Sequence, residues 1–176
     1  QIYKGNLFEL VDQAVNFVLS KIDFAVGNRV KSAQVDTAYE IPPSVIEEAI
    51  VNAIVHRDYD SNASVQIMIF ADRIEIRNPG SLPPGLTIEK LKEDHSSYPK
   101  NPLLAESMYL TKYIEKMGTG VMDMIQRCKE FGIKEPLFKS SDEFVCTIFR
   151  KKNIAFDQVS GGRIGGQIDD QIGGQI

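Results

Sequence analysis

The sequence PPSVIEEAIVNAIVHRDY, residues 42–59, decides how this chain folds and where its chemistry lies. Its apolar residues are so dense that a helix built from them is buried almost all round. Glu48, Asn52 and His56 fall on one narrow stripe of that helix, within about 80° of one another. Because burying polar groups without partners is costly, we expect the stripe to face a cavity that holds a ligand, a metal ion or ordered water.

Two carboxylates stand side by side in this stretch, and the sequence predicts different roles for them. Ser44 followed three residues later by Glu47, after two prolines, is a capping-box pattern that assigns Glu47 to the start of the helix. Glu48 lies about 100° away from it and is therefore not needed for capping. The residues alone also permit a plain alternative, in which Glu48 and Asn52 are a solvated pair one turn apart.

The composition indicates a globular chain with an acidic balance. The 176 residues are 43% hydrophobic and 25% charged, with a net charge of -4 and a pI near 5.3. Binding to a phosphate backbone needs clustered Lys and Arg, so we expect any contact with DNA to come from a domain outside this segment. No apolar stretch approaches the ~20 residues of a membrane span. The chain begins at Gln1 without Met, and we expect it to be a fragment.

The two cysteines carry little functional signal. Cys128 stands in a helical pattern and Cys146 in a strand pattern, with neither a C-x-x-C motif nor a zinc spacing. They are predicted to be small buried residues of a protein in a reducing, cytoplasmic compartment.

Periodicity along the chain predicts helices and β-hairpins. Helices are expected over 6–22 with Asn6 as N-cap, 43–57 with His56 at the end, 87–93 with Thr87 as N-cap, 102–110, and from Gly118-Thr119-Gly120 to Gly132. Strand pairs are expected over 24–40, 64–78 and 136–150, and residues 79–86 are a loop. Adjacent hairpins mixed with helices favour an α+β fold, a two-layer sandwich whose mixed or antiparallel sheet is covered by helices on one face.

The C-terminal tail is a four-residue repeat, GGRI-GGQI-DDQI-GGQI, over residues 161–176. An extended chain would place its four isoleucines on one face, whereas a flexible linker would need none of them. The tail is therefore either a linker or a strand that pairs with a sheet edge or a neighbouring chain, and in the second case it would support a homo-oligomer.

Several common nucleotide and metal motifs are missing, and one combination remains. The chain has no P-loop, no complete dinucleotide fingerprint and no zinc spacing. What it does have, in order, is E-x-x-x-N on a helix (Glu48, Asn52), a strand ending in Asn78-Pro79-Gly80, and Gly118-Thr119-Gly120 before a helix. This order resembles the GHKL or Bergerat-type ATP-binding fold. About residues 5–150 resemble the C-terminal domain of bacterial RecG-related, helicase-like transcriptional regulators. The sequence segments that carry this resemblance are EAIVNAIVHRDY, DRIEIRNPGSLPPGL, KNPLLA and YIEKMGTG.

The resemblance implies a role for each of these residues. Asn52 would give a neutral oxygen to Mg²⁺, which prefers hard oxygen ligands shared with phosphates. Glu48 would activate the water that attacks the γ-phosphate. Backbone N–H groups at Gly118, Thr119 and Gly120 would cradle the phosphates at the helix N-terminus. Residues 94–117 would form a lid, whose candidate phosphate contacts are Lys100 and Lys116.

The base-binding end departs from the fold's usual pattern. Asn78, followed by Gly80, stands where the resembling fold usually has an Asp that accepts from the adenine amino group. An amide accepts through its carbonyl oxygen, but it carries no charge and can be turned to donate. The residues therefore leave the preferred base open.

Together these features predict a GHKL-like nucleotide-binding domain over residues 1–153 and a repeat tail or linker over 154–176. Its expected function is Mg²⁺-dependent ATP binding, with hydrolysis left open, as a regulatory module of a bacterial RecG-like transcriptional regulator. The resemblance implies a DNA-binding domain elsewhere in such a protein. Two alternatives are a nucleotide sensor without turnover and an assembly or dimerisation domain with a vestigial pocket.

Overall fold

Helices and strands alternate along the chain much as the periodicity predicts. The computed structural model describes residues 2–26, 37–93, 98–114, 118–151 and 172–175. Its elements in chain order are α1 (Leu7–Leu19), β1 (Phe24–Val26), β2 (Thr37–Tyr39), α2 (Pro43–Val55), β3 (Gln66–Ile69), β4 (Arg73–Pro79), α3 (Ile88–Leu91), α4 (Pro102–Leu110), α5 (Gly120–Phe131), β5 (Leu137–Ser140), β6 (Glu143–Phe149) and β7 (Ile172–Gln175).

The main sheet is antiparallel throughout, with the strand order β5-β6-β4-β3-β7. The hairpins predicted over 64–78 and 136–150 supply four of its five strands, as β3 with β4 and β5 with β6. In the predicted pair over 24–40, β1 joins β2 as a separate antiparallel ribbon, and residues 27–36 between them lie outside the described residues. The predicted α+β sandwich is confirmed, and its sheet is antiparallel, not mixed.

Burial on β4 alternates as a half-covered strand requires. Ile74, Ile76 and Asn78 are buried, and the residues between them are more exposed. The buried face is covered by α2, which packs on β4 and also on α1 and α5. Asn78 thus occupies a position where the pattern of the strand calls for an apolar side chain, and it faces the helical layer.

The helix ends follow the predicted signals in four of five cases. Asn6 caps α1 through a complete capping box with Glu9, Thr87 accepts a hydrogen bond from the Lys90 amide, and Gly132 ends α5 in the left-handed conformation at φ 75°. His56 follows the last residue of α2, as predicted.

The predicted capping box of Ser44 and Glu47 is wrong. The structure has Pro42 as N-cap of α2 and Pro43 as its first residue, without any side-chain cap. Proline is pre-organised for the first helical position, so the helix begins one residue before Ser44. Ser44 is therefore already helical and cannot act as N-cap, which leaves Glu47 as an exposed residue on the first turns.

Part of the repeat tail joins the sheet. Strand β7 pairs antiparallel with β3, with Ile172 opposite Ile69 and Gln175 opposite Gln66. The prediction that the tail adds a strand to a sheet edge is confirmed for residues 172–175. The other tail residues lie outside the described part of the chain.

Both cysteines are buried in the hydrophobic core, as predicted. Burial raises the pKa of the Cys128 thiol to about 11 and that of Cys146 to about 12, so both thiols are protonated at neutral pH. Within the described ranges, no helix has the length and apolarity needed to cross a bilayer.

Candidate functional site

A cavity of about 520 Å³ lies between α2, the sheet and the segments that precede α4 and α5. The polar stripe of α2 faces it, since Glu48, Asn52 and His56 are all among the lining residues. Most residues singled out in the sequence meet here, although they come from distant parts of the chain: the lining includes Glu48, Asn52, Asn78, Gly80, Lys100, Gly118 and Gly120.

Glu48 and Asn52 are joined by a hydrogen bond inside this cavity. The amide Nδ2 of Asn52 donates to Oε1 of Glu48 over 2.8 Å, and the pair is partly buried. A carboxylate only accepts, so the amide must turn its nitrogen to Glu48 and keep Oδ1 for another partner. The pair is thus spaced one turn apart as the plain alternative proposed, but it lines a cavity instead of an open surface.

Glu48 also lies against the first turn of α5. A Cβ placed on Gly120 would overlap Oε1 of Glu48 and come within 2.6 Å of its carboxyl carbon. Only glycine allows this approach, because it has no Cβ. Gly120 is the first residue of α5, where unpaired backbone N–H groups and the helix dipole favour negative charge. Just before it, Gly118 has φ 91°, a conformation that also favours glycine.

At the sheet side of the cavity, Asn78 has an unsatisfied carboxamide. The residue is 4% exposed, and its Oδ1 has no hydrogen-bond partner among the described residues. Its strand neighbour across the sheet is Phe144, whose ring stacks on Phe138 at 6.0 Å between centroids. A buried acceptor without a donor destabilises a protein by about 1–3 kcal/mol, so such an atom needs an explanation.

Lys100 is held next to the loop that follows Asn78. Its Nζ lies 2.8 Å from Oδ2 of Asp58. Both side chains pack on Gly80, since a Cβ there would be 3.3 Å from the Asp58 Cβ and 3.6 Å from Lys100 Nζ. The hydrogen bond from Lys100 is the main cause that lowers the pKa of Asp58. In this structure, therefore, Lys100 is paired beside Gly80.

Of the two remaining predicted site residues, Thr119 is not among the lining residues of the cavity. Thr119 is the N-cap residue of α5, and its hydroxyl lies 2.9 Å from Oδ2 of Asp123. Lys116 lies outside the described residues, as do the two ends of the predicted lid, residues 94–97 and 115–117. Within the described ranges, no group of three or more His, Cys, Asp or Glu side chains could hold a metal ion.

Comparison with known families adds an independent line of evidence. Residues 62–149, half of the chain, match the family described as "Putative ATP-dependent DNA helicase recG C-terminal". The chain belongs to this family. Membership in the RecG C-terminal family confirms the predicted resemblance and identifies an ATPase-like domain.

Among solved structures, the chain is similar to the DIP2311 protein from Corynebacterium diphtheriae. The two share 22% sequence identity at a TM-score of 0.70, over 83% of this chain and 30% of that chain. The likeness supports the fold, and the chain spans less than a third of that protein's length. No curated protein matches the chain.

Sequence reasoning missed two residues that shape the cavity in this member of the RecG C-terminal family. Asp58 pairs with Lys100, and Asn101 donates from its Nδ2 to the carbonyls of Val55 and Arg57 at 2.8 and 2.9 Å. Asn101 thereby satisfies carbonyls at the end of α2, which a helix terminus leaves unpaired. The polar segments KNP (residues 100–102) and HRD (residues 56–58) are visible in the sequence, but their spacing does not show that they touch.

Proposed function

We propose that the cavity binds ATP together with Mg²⁺. The observation that carries the proposal is the unpaired Oδ1 of Asn78, buried in the same cavity as the Glu48–Asn52 pair. The residues fit a nucleotide at both ends. An apolar slot with one acceptor suits a purine base, and a glycine-lined helix start suits phosphates.

At the base end, Asn78 would accept a hydrogen bond from an N–H group of the base. The cavity lining includes apolar side chains of the sheet and α2, among them Ile76, Ala53 and Phe138. Placing a base there would bury its ring faces and give the unpaired oxygen its donor. Both changes favour binding.

At the phosphate end, Asn52 would bind Mg²⁺ and the start of α5 would bind the phosphates. Mg²⁺ usually takes few protein ligands and fills its octahedron with phosphate oxygens and water. Oδ1 of Asn52 is a suitable single ligand, because the hydrogen bond to Glu48 fixes the amide orientation. The backbone from Gly118 to Gly120, including Thr119, would bind the phosphates.

The two lysines of the predicted lid take different places in this proposal. Lys100 would reach a nucleotide from beside Gly80, after exchanging its present partner Asp58. Lys116 remains a predicted phosphate contact. Glu48 would accept a proton from an attacking water, and its contacts with Asn52 and Gly120 support this role.

We further propose that this domain is a regulatory module of a bacterial, cytoplasmic, RecG-like transcriptional regulator. Family membership supports the ATPase-like domain, and the acidic composition supports DNA contact through another domain. A nucleotide sensor without turnover would use the same binding residues and would need no proton acceptor. An assembly domain with a vestigial pocket would need neither the nucleotide-binding residues nor the proton acceptor.

Titration calorimetry of Mg-ATP against the wild type and Asn52→Ala tests the proposal. We expect wild-type binding to weaken strongly in EDTA, and Asn52→Ala to bind Mg-ATP about 10- to 100-fold more weakly, because a metal ligand is lost. The exposed Asn62 provides the control, since Asn62→Ala should bind like the wild type. Equal, metal-independent binding by wild type and Asn52→Ala would contradict the proposed site.

Self-association through the tail is a second proposal, supported by the pairing of β7 with the open edge of β3. A strand that pairs with its own sheet edge can pair with the same edge of a second copy. We expect light scattering to give a larger mass for the full chain than for one ending at Asn153. Equal masses would leave the tail as a linker that folds back on its own sheet.

A further inference from the structure

Asn78 lines the cavity and carries a buried, unpaired carboxamide oxygen. We infer that the site binds 6-oxopurine nucleotides, such as GTP and ITP, as well as the 6-aminopurine ATP. This inference rests on the proposed function, because it concerns the same cavity.

The side chain of Asn78 is placed to read a base and is not committed to the protein. It lies on the buried face of β4, is 4% exposed, and lines the cavity. Its Oδ1 is buried and has no hydrogen-bond partner among the described residues. The protein thus leaves the orientation of the amide to be set by a ligand.

An amide matches both kinds of purine edge. Adenine presents a donor at its 6-amino group beside an acceptor at N1, whereas guanine and hypoxanthine present an acceptor at O6 beside a donor at N1. In one orientation Asn78 accepts and donates in the order that adenine requires. Turning the amide by half a rotation gives the order that a 6-oxopurine requires. A carboxylate at this position would only accept, and it would repel O6.

The charged groups near Asn78 do not supply the repulsion of O6 that a carboxylate at this position would provide. Specificity against a competing ligand usually needs a repulsive element. Glu48 lies against Gly120, and Asp58, whose amide donates to the carbonyl of Pro79, has its carboxylate paired with Lys100. Lys100 stands beside Gly80, two residues after Asn78, and a cation there favours a base with an acceptor oxygen.

Competition calorimetry with ATP, GTP and ITP, all in excess Mg²⁺, tests the inference. ITP is the decisive probe because it has the 6-oxo group without the 2-amino group of GTP, which separates recognition at position 6 from steric fit at position 2. We expect the wild type to bind ATP and ITP within about tenfold of each other. In Asn78→Asp, ITP should weaken relative to ATP by about 10- to 100-fold, the range of a good two-point base contact.

The outcomes separate this inference from the proposed function. A wild type that prefers ATP over ITP by more than a hundredfold would overturn base tolerance while leaving ATP binding intact, and this result does not depend on whether a variant folds. An Asn78→Asp protein that folds and keeps the wild-type ratio would overturn the role of Asn78. Asn62→Asp, which adds the same charge at an exposed site, should keep that ratio. A wild type that binds none of the three nucleotides would refute the proposed function itself.

Discussion

Replacing Glu48 by Gln should reduce ATP turnover by about 10²- to 10⁴-fold, while the affinity for Mg-ATP stays within a few fold of wild type. The amide is nearly the same shape as the carboxylate and can still accept from Asn52, but it cannot take a proton. The loss corresponds to about 3–5 kcal/mol of transition-state stabilisation. Steady-state phosphate release, with calorimetric binding in parallel, measures both quantities.

Glu47 is the matched control for this experiment. It is the preceding residue on α2, exposed, and without a capping role. Glu47→Gln should therefore change neither turnover nor the free energy of unfolding by a measurable amount. A Glu48→Gln protein that hydrolyses ATP at the wild-type rate would refute the assignment of the base. A wild type that binds Mg-ATP but releases no phosphate would favour the nucleotide sensor.

The largest expected loss of stability comes from Glu40, a buried carboxylate distant from the cavity lining. It is 1% exposed, and its Oε1 accepts from the Asp23 amide at 2.9 Å and from Arg150 at 2.8 and 2.7 Å. Arg150 in turn donates to the carbonyl of Phe70. Glu40→Ala leaves this guanidinium without its counter-charge, which should destabilise the fold by about 3–5 kcal/mol.

Urea unfolding followed by circular dichroism measures this loss. The exposed pair of Lys129 and Glu135, at 3.0 Å, is the control, and Glu135→Ala should cost about 1 kcal/mol or less. Replacing both members of the buried pair, Glu40→Leu with Arg150→Met, should recover much of the loss because no charge is left unpaired. A Glu40→Ala protein as stable as Glu135→Ala would show that the buried pair does not stabilise the fold.

Local sequence patterns predicted most elements of the fold, and the one failed prediction has a physical reason. Hydrophobic periodicity and turn residues place α2, both central hairpins and the glycine end of α5, because these signals lie within each segment. The capping box failed because Ser44-x-x-Glu47 fits the pattern only if the helix starts after Ser44. The prolines move that start forward.

Several of the residues that line the cavity were predictable from the sequence, but their contacts were not. The stripe on α2 indicated a cavity, and the order of motifs indicated which residues share it. The contact of Glu48 with Gly120, the salt bridge of Lys100 with Asp58, and the unpaired oxygen of Asn78 join segments far apart in sequence. No spacing rule gives such contacts, because they depend on how segments distant in sequence pack against one another.

The most direct test of the nucleotide site is a crystal structure of the chain with Mg²⁺ and a non-hydrolysable ATP analogue. We expect a base N–H within hydrogen-bond distance of Asn78 Oδ1, the phosphates on the backbone of Gly118 to Gly120, and the metal at about 2.1 Å from Asn52 Oδ1. A nucleotide bound elsewhere on the chain, with the cavity empty and Asn78 still unpaired, would contradict the proposed site.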